Sequence, residues 1–327
     1  MSAHHDPTQT QHQATAPISN RAAHLALFGA DGASRFIESA LRPYSVALHA
    51  AQEGAQLSGD STAVMLTQRI IERLNEEPGS LDQASVRRCV NETIDYQLRH
   101  DMAFRLVGLA QALRPMSLAQ VAYMNTLLNA SQQLIFGIGP TGTGKTHLAI
   151  AAGLNALARG RVKKLVATRP HDVFEGETIT AAVRAETARD DQLAPLEDEL
   201  HSLVSAEEVN RLIESEQLEI LPLGHMRGRT FNDAFIVVDD AQNISIRRMR
   251  MVVTRLGRGS RMVLAGDPAQ VHLHEDEPSG LAHLLNLIGG ADFALVHEFE
   301  PSSIIRNEVV AQLETLYARD GRARIPA

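Results

Sequence analysis

The run Gly139-Pro140-Thr141-Gly142-Thr143-Gly144-Lys145-Thr146 carries the spacing G-x-x-x-x-G-K-[ST]. Glycines at such positions let backbone N–H groups turn inward and wrap phosphates with no side chain in the way. Lys145 is placed to reach the β- and γ-phosphates of a nucleotide, and the Thr146 hydroxyl is a ligand type suited to Mg²⁺. A chance glycine-rich turn is the competing reading, and the flanking segments argue against it. An apolar strand, Gln133–Ile138, precedes the loop. A helix rich in Ala and Leu, His147–Ala158, follows it and adds the partial positive charge of its N-terminus. The second half of a nucleoside-triphosphate site is an acid at the end of a buried strand. Ala234-Phe235-Ile236-Val237-Val238-Asp239-Asp240 has that form. Asp239 takes the metal side, and Asp240 faces the attacking water as a general base or polariser. The alternative is that the pair only caps a following helix, Ile244–Leu256.

Two further strand ends belong to the same chemistry. Arg261–Ala265 reads as a strand leading into Gly266-Asp267-Pro268-Ala269-Gln270, which makes Gln270 and Asp267 candidates for sensing the γ-phosphate. Upstream, Gln120 has the amide that can pair with N6 and N7 of adenine and so select ATP, with Tyr123 three residues on and able to pack nearby. Arg169, Arg227 and Arg229 follow predicted strands, on the side where open α/β sheets bind ligands. They are expected to meet a neighbouring subunit or the edge of the nucleotide, or else RNA phosphates.

The elements that must hold these residues alternate between strand and helix, the pattern of an α/β fold with a mostly parallel sheet. The chain of 327 residues divides into a disordered tail over 1–20, a small α/β module over 21–78, a helical connector over 79–113, an ATPase core over 114–320 and a short tail over 321–327. Within the small module the pattern is helix (Phe36, Ile37, Ala40, Leu41), strand (Tyr44–His49), turn (Glu53-Gly54), returning strand (Ala55–Leu57) and helix (Val64 to Leu74). It opens on Gly29-Ala30-Asp31-Gly32, the Gly-x-x-Gly of KH domains, although Asp31 sets a negative charge where an RNA phosphate would sit. His4, His5 and His12 are read as part of a solvated tail rather than as a metal site.

Composition narrows the class. With 44% hydrophobic and 21% charged residues the chain is globular. Cys89 is the single cysteine, so no intramolecular disulfide and no cysteine-rich zinc site can form, which fits a reducing cytoplasm. No apolar run approaches the roughly 18 residues that span a bilayer, and the first twenty do not read as a signal peptide. A formal charge of −8 and 4% aromatic residues limit any nucleic-acid contact to local patches.

Phe136–Thr146, Thr168-Arg169-Pro170, Met226-Arg227-Gly228-Arg229-Thr230, Asn232–Asn243 and Gly266–Gln270 together resemble the PhoH-like ATPases, with agreement from about Arg114 to Tyr317. The resemblance implies a P-loop NTPase core similar to the first RecA-like domain of superfamily 1 helicases, beside a small KH-like N-terminal module. It implies ATP and Mg²⁺ as cofactors, a cytoplasmic and often oligomeric protein, a task in RNA metabolism, and in places an endoribonuclease partner. A chain of this length has no room after Gly280 for a second RecA-like domain, so motor activity is expected to be shared between subunits of a ring. Three segments depart from the family pattern. Asp239-Asp240 replaces Asp-Glu, and the lost methylene retracts the carboxylate from the attacking water, which predicts slow hydrolysis beside intact binding. Thr178–Arg184 replaces a Leu-Gly-Phe-Leu-Pro-Gly-Asp-like stretch, and Ile305-Arg306-Asn307 replaces Val-Arg-His. Arg306 is retained and is the candidate arginine finger. Two other functions compete: a scaffold that binds ATP and hydrolyses it weakly, and a small-molecule kinase, for which no acceptor-binding lid is evident.

Overall fold

The computed structural model describes residues 12–29, 32–52, 54–170, 193–271, 273, 277–304 and four positions between 309 and 316. The chain forms two compact units, one of residues 1–104 and 114–122, the other of residues 105–113 and 123–327.

The N-terminal unit runs in the order β1 (His12–Pro17), α1 (Arg21–Phe28), α2 (Ser34–Ala40), β2 (Val46–Ala51), β3 (Gly54–Gly59), α3 (Ser61–Glu76) and α4 (Gln83–His100). Its three strands form an antiparallel sheet in the order β1-β3-β2. The helix–strand–strand–helix pattern expected from sequence is present, with two corrections. Residues 12–17 are not a disordered tail: they pair along β3 from His12↔Gly59 to Pro17↔Gly54. The strand is specified by a partner some forty residues away, and of its six residues only Ala16 is buried, so composition carries no signal for it. The connector is not separate either. Val86, Cys89, Val90 and Leu98 on one side of α4 join the same core as Leu27, Ile37, Leu57, Leu66, Ile70 and Leu74. The apolar spacing of α4 is thus the imprint of that packing.

Gly29 and Gly32 lie between α1 and α2, with Ala30 and Asp31 outside the described residues. A Cβ on Gly29 would come within 2.5 Å of the Leu25 carbonyl oxygen, and one on Gly32 within 2.4 Å of that of Leu27. Close backbone approach therefore demands both glycines, whatever the loop binds.

Helix α5 (Leu118–Asn129) passes from the first unit into the second. The second unit continues through β4 (Leu134–Ile138), α6 (Lys145–Ala158), β5 (Lys164–Arg169), α7 (Ala194–Leu203), α8 (Ala206–Glu214), β6 (Leu218–Pro222), β7 (Ala234–Val238), α9 (Ile246–Val253), β8 (Arg261–Gly266), α10 (Gly280–Ile288) and β9 (Ala294–Glu298). Its six strands are all parallel, in the order β6-β5-β7-β8-β4-β9. Every residue of β4 and β7 is buried, as expected for strands covered on both faces. At the end of α5, Arg261 donates to the carbonyls of Leu127, Ala130 and Gln132, which satisfies helix-end acceptors that would otherwise lack donors. Among the described residues no helix is long and apolar enough to cross a membrane.

Tyr123 lies fully buried, edge-on to Phe299 and tilted against His297. A Cβ on Gly137 would sit 2.5 Å from its hydroxyl, so the glycine in β4 leaves room for the ring. Among the described residues the Tyr123 hydroxyl has no hydrogen-bond partner, and burial pushes its pKa up. This ring, expected only to pack near Gln120, is a core residue. Because an unsatisfied buried hydroxyl costs stability, Tyr123→Phe is expected to leave Tm unchanged or raise folding stability by about 1 kcal/mol. A fall in Tm of several degrees on thermal unfolding would refute that account of the packing.

Candidate functional site

Strand β4 delivers the chain to Gly139 at the C-terminal edge of the sheet, where the loop 139–144 turns into α6. Its glycines answer distinct steric demands. Gly142 and Gly144 have φ of 83° and 84°, the left-handed region that side chains disfavour. A Cβ on Gly139 would lie 2.4 Å from the Phe299 carbonyl oxygen. The Thr143 hydroxyl donates to the Pro140 carbonyl at 3.0 Å and closes the loop on itself.

Lys145 is 9% exposed, and its ammonium donates to the carbonyls of Gly139 (2.7 Å) and Pro140 (2.6 Å) and more distantly to the Thr143 hydroxyl. Burial lowers its pKa to about 8, against the opposing pull of Asp267, Asp239 and Asp240. The Thr146 hydroxyl donates to Asp239 Oδ1 in a very short contact. Burial and the adjacent Asp240 raise the Asp239 carboxyl to about 6, while the Thr146 hydrogen bond and Arg169 hold it down. A hydroxyl and a carboxylate in contact beside a phosphate loop form an oxygen donor pair of the kind Mg²⁺ takes, and the residues fit that ion.

Three strand tips meet here because β8 lies between β4 and β7. The Gly139 N–H donates to the Gly266 carbonyl at 3.1 Å, tying the start of the loop to the end of β8. The Thr141 hydroxyl donates to Gln270 Oε1 at 2.9 Å, which brings Gln270 to the loop. Asp267 is 7% exposed and accepts from the Ala269 N–H at 3.0 Å. Asp240 has a left-handed backbone, φ 46° and ψ 40°, uncommon for a residue other than glycine. The expected helix after the acids begins later than its pattern suggested: a 3₁₀ turn, Ala241–Asn243, comes first, and α9 starts at Ile246.

The structure thus gathers Gly139, Pro140, Thr141, Gly142, Thr143, Gly144, Lys145, Thr146, Asp239, Asp240, Asp267 and Gln270 at one end of the sheet. Gln120 belongs to the N-terminal unit, is buried, and accepts from the Met116 N–H through Oε1 at 2.8 Å. Arg306 and the Thr178–Arg184 stretch lie outside the described residues. Two of the three arginines form ion pairs within the chain. Arg169, the last residue of β5, pairs with Asp240 in a very short contact. Arg229 pairs with Glu219 at 2.6 Å and lies over the Phe231 ring, and Lys164 also reaches Glu219. Arg227 is exposed. Gln242, buried at 4% exposure, was not identified from sequence: it donates to Asp240 Oδ1 at 3.5 Å and accepts from the Asp267 N–H at 3.0 Å. Its signal was its place within Asp-Asp-Ala-Gln-Asn, which composition alone does not single out. Among the described residues no cluster of three or more His, Cys, Asp or Glu forms a separate metal site.

A parallel sheet with a phosphate loop on one strand, an acid pair two strands away and a polar strand tip between them defines a P-loop nucleoside-triphosphate-binding protein. The chain belongs to the PhoH-like protein family, whose model matches residues 112–318. It is 37% identical over 208 residues to a PhoH-like protein of Bacillus subtilis (strain 168), covering 63% of this chain and 64% of that one. It is 34% identical over 289 residues to a PhoH-like protein of Mycobacterium bovis, covering 85% of this chain and 80% of that one. Against solved structures, the Sulfolobus solfataricus SWI2/SNF2 ATPase core in complex with dsDNA aligns with a TM-score of 0.34 at 17% identity, over 50% of this chain and 34% of that one. A likeness that slight carries no argument.

The lowered pKa of Lys145 has a measurable consequence. Below pH 8 the ammonium meets the phosphates already charged; above it, binding must first take up a proton. Affinity for a fluorescent ATP analogue is expected to fall by about tenfold between pH 7 and 9, as a one-unit offset per pH unit dictates. In Lys145→Ala affinity is weaker and this fall disappears; an equal fall in the variant shows that another group titrates.

Proposed function

We propose that the protein is a Mg²⁺-dependent ATPase acting in RNA metabolism. The observation that carries the hydrolytic part is the convergence of Lys145, the Thr146–Asp239 contact and Asp240 at adjoining strand ends. Lys145 leaves the Gly139 and Pro140 carbonyls for the β- and γ-phosphates, while loop N–H groups wrap the phosphate chain. Thr146 and Asp239 would hold Mg²⁺, which when bound neutralises charge developing between the β- and γ-phosphates. Asp240 orients a water and accepts its proton as the water oxygen bonds to the γ-phosphorus and the bond to the β–γ bridging oxygen breaks. Gln270 senses the γ-phosphate through its link to Thr141, Gln120 selects adenine, and Arg306 acts as an arginine finger on its own or a neighbour's nucleotide.

The RNA part rests on other support. The family resemblance points to it, and Gly29-x-x-Gly32 between α1 and α2 supports a KH-like reading of the N-terminal unit. A homo-oligomer, with a ring as one form of it, follows from the family resemblance. A cytoplasmic setting and an endoribonuclease partner rest on the resemblance alone.

Asp240 favours a second reading, a scaffold that binds ATP and hydrolyses it weakly, since its carboxylate is one methylene shorter than the glutamate of the family pattern. Turnover of [γ-³²P]ATP by the wild type, Lys145→Ala and Asp240→Glu, with and without RNA, separates the two. The ATPase reading expects turnover that RNA raises and Lys145→Ala abolishes, with Asp240→Glu faster than wild type. Tight ATP binding with no Lys145-dependent release of phosphate establishes the scaffold instead.

A further inference from the structure

Arg169 and Asp240 come from different strands and meet within the nucleotide site. β5 and β7 are neighbours, and the Asp239 N–H donates to the Thr168 carbonyl at 2.8 Å, so Arg169 stands beside the acid pair. The Arg169 side chain is 15% exposed and that of Asp240 33%. A guanidinium so covered is not a surface ion pair held loosely in water. The Asp240 carboxylate is engaged at both oxygens, Oδ2 by Arg169 Nη2 and Oδ1 by Gln242 Nε2 at 3.5 Å. Gln242 is in turn fixed by the Asp267 N–H at 3.0 Å, and a Cβ on Gly266 would fall 2.7 Å from its Oε1. An aspartate has two side-chain torsions, and its backbone here already sits in a left-handed conformation that other structure must impose. An ion pair on one oxygen and a longer amide contact on the other restrict those torsions.

We propose that Arg169 is a positioning residue for hydrolysis: it fixes the Asp240 carboxylate from β5, with Gln242 as the second support. The shorter acid makes this support necessary, because a carboxylate that cannot reach farther must be aimed by its neighbours. Misplacement of a reacting group by about 1 Å can cost on the order of 10²-fold in rate. The proposal rests on the ATPase reading and adds to it a residue that touches neither phosphate nor water.

The test is single-turnover and steady-state hydrolysis of Mg-ATP by the full chain, in wild type, Arg169→Ala, Arg169→Lys, Asp240→Asn and the Arg169→Ala/Asp240→Asn double variant, each checked for its melting temperature. Arg169→Ala is expected to lower kcat by about 10- to 100-fold with KM changed less than about threefold. Arg169→Lys recovers part of kcat, since it keeps the charge and loses the planar fork. In the Asp240→Asn background the Arg169→Ala change costs less than about twofold, because its effect runs through the missing carboxylate. A loss as large in that background, or a rise in KM that accounts for the loss, shows Arg169 acting on the nucleotide and overturns the proposal while leaving the ATPase reading intact. ATP binding with no turnover in any of the five proteins overturns both.

Discussion

One ammonium buried at the edge of a sheet organises this molecule. Lys145 is nearly inaccessible to solvent, and its ammonium donates to two main-chain carbonyls and a threonine hydroxyl of its own loop. Burying a charge without a direct carboxylate partner is costly, and the loop tolerates it because three carboxylates, Asp239, Asp240 and Asp267, surround it at longer range. Asp239 carries a cost of its own, since burial first and the adjacent Asp240 second raise its pKa. Each set of charges makes the other tenable. The remaining contacts of the site, Thr146 on Asp239, Arg169 on Asp240 and the Ala269 N–H on Asp267, distribute partners so that none of the three acids stands alone. A bound triphosphate would enter this balance by taking Lys145 away from the loop carbonyls.

The sheet order decides which residues can share that balance. With β8 inserted between β4 and β7, the tip that carries Gly266–Gln270 lies between the loop and the acid pair. Gln270 then reaches Thr141, and Asp267 adds its charge to the field at Lys145. β5, on the far side of β7, contributes Arg169 from its last residue. Parallel strands bring all these tips to one edge, since every strand runs in the same direction and ends in a loop there. An antiparallel neighbour would have sent its tip to the other edge.

The N-terminal unit illustrates a different constraint. Its sheet has β3 in the middle, so both the short β2–β3 hairpin and a strand from before α1 must find it. Helices α3 and α4 then bury a continuous apolar face with Leu27, Ile37 and Leu57. Gly29 and Gly32 are needed there by the close approach of the backbone, a structural demand that stands beside any role in RNA binding.

Local chemistry made the phosphate loop, the acid pair and their strand–loop–helix settings legible from sequence, because those features depend on neighbours a few residues apart: glycine conformational freedom, apolar runs and helix starts. The family resemblance was legible for the same reason, in short blocks such as Asn232–Asn243. What depends on distant partners was not. β1 is a strand because β3 offers it hydrogen bonds, though its own residues are mostly exposed and polar. Tyr123 belongs to the core because Gly137, His297 and Phe299 leave a space for it. Arg169 and Arg229 read as charges on loops at the ligand-binding side of the sheet, and the carboxylates they pair with come from another strand or its tip. Sequence by itself determined that a nucleotide site exists and which side chains form its floor. Only the tertiary structure decided how those side chains are held, since an ion pair or a ring contact is settled by which strands lie side by side, and adjacency across a sheet leaves no mark in the order of residues along the chain.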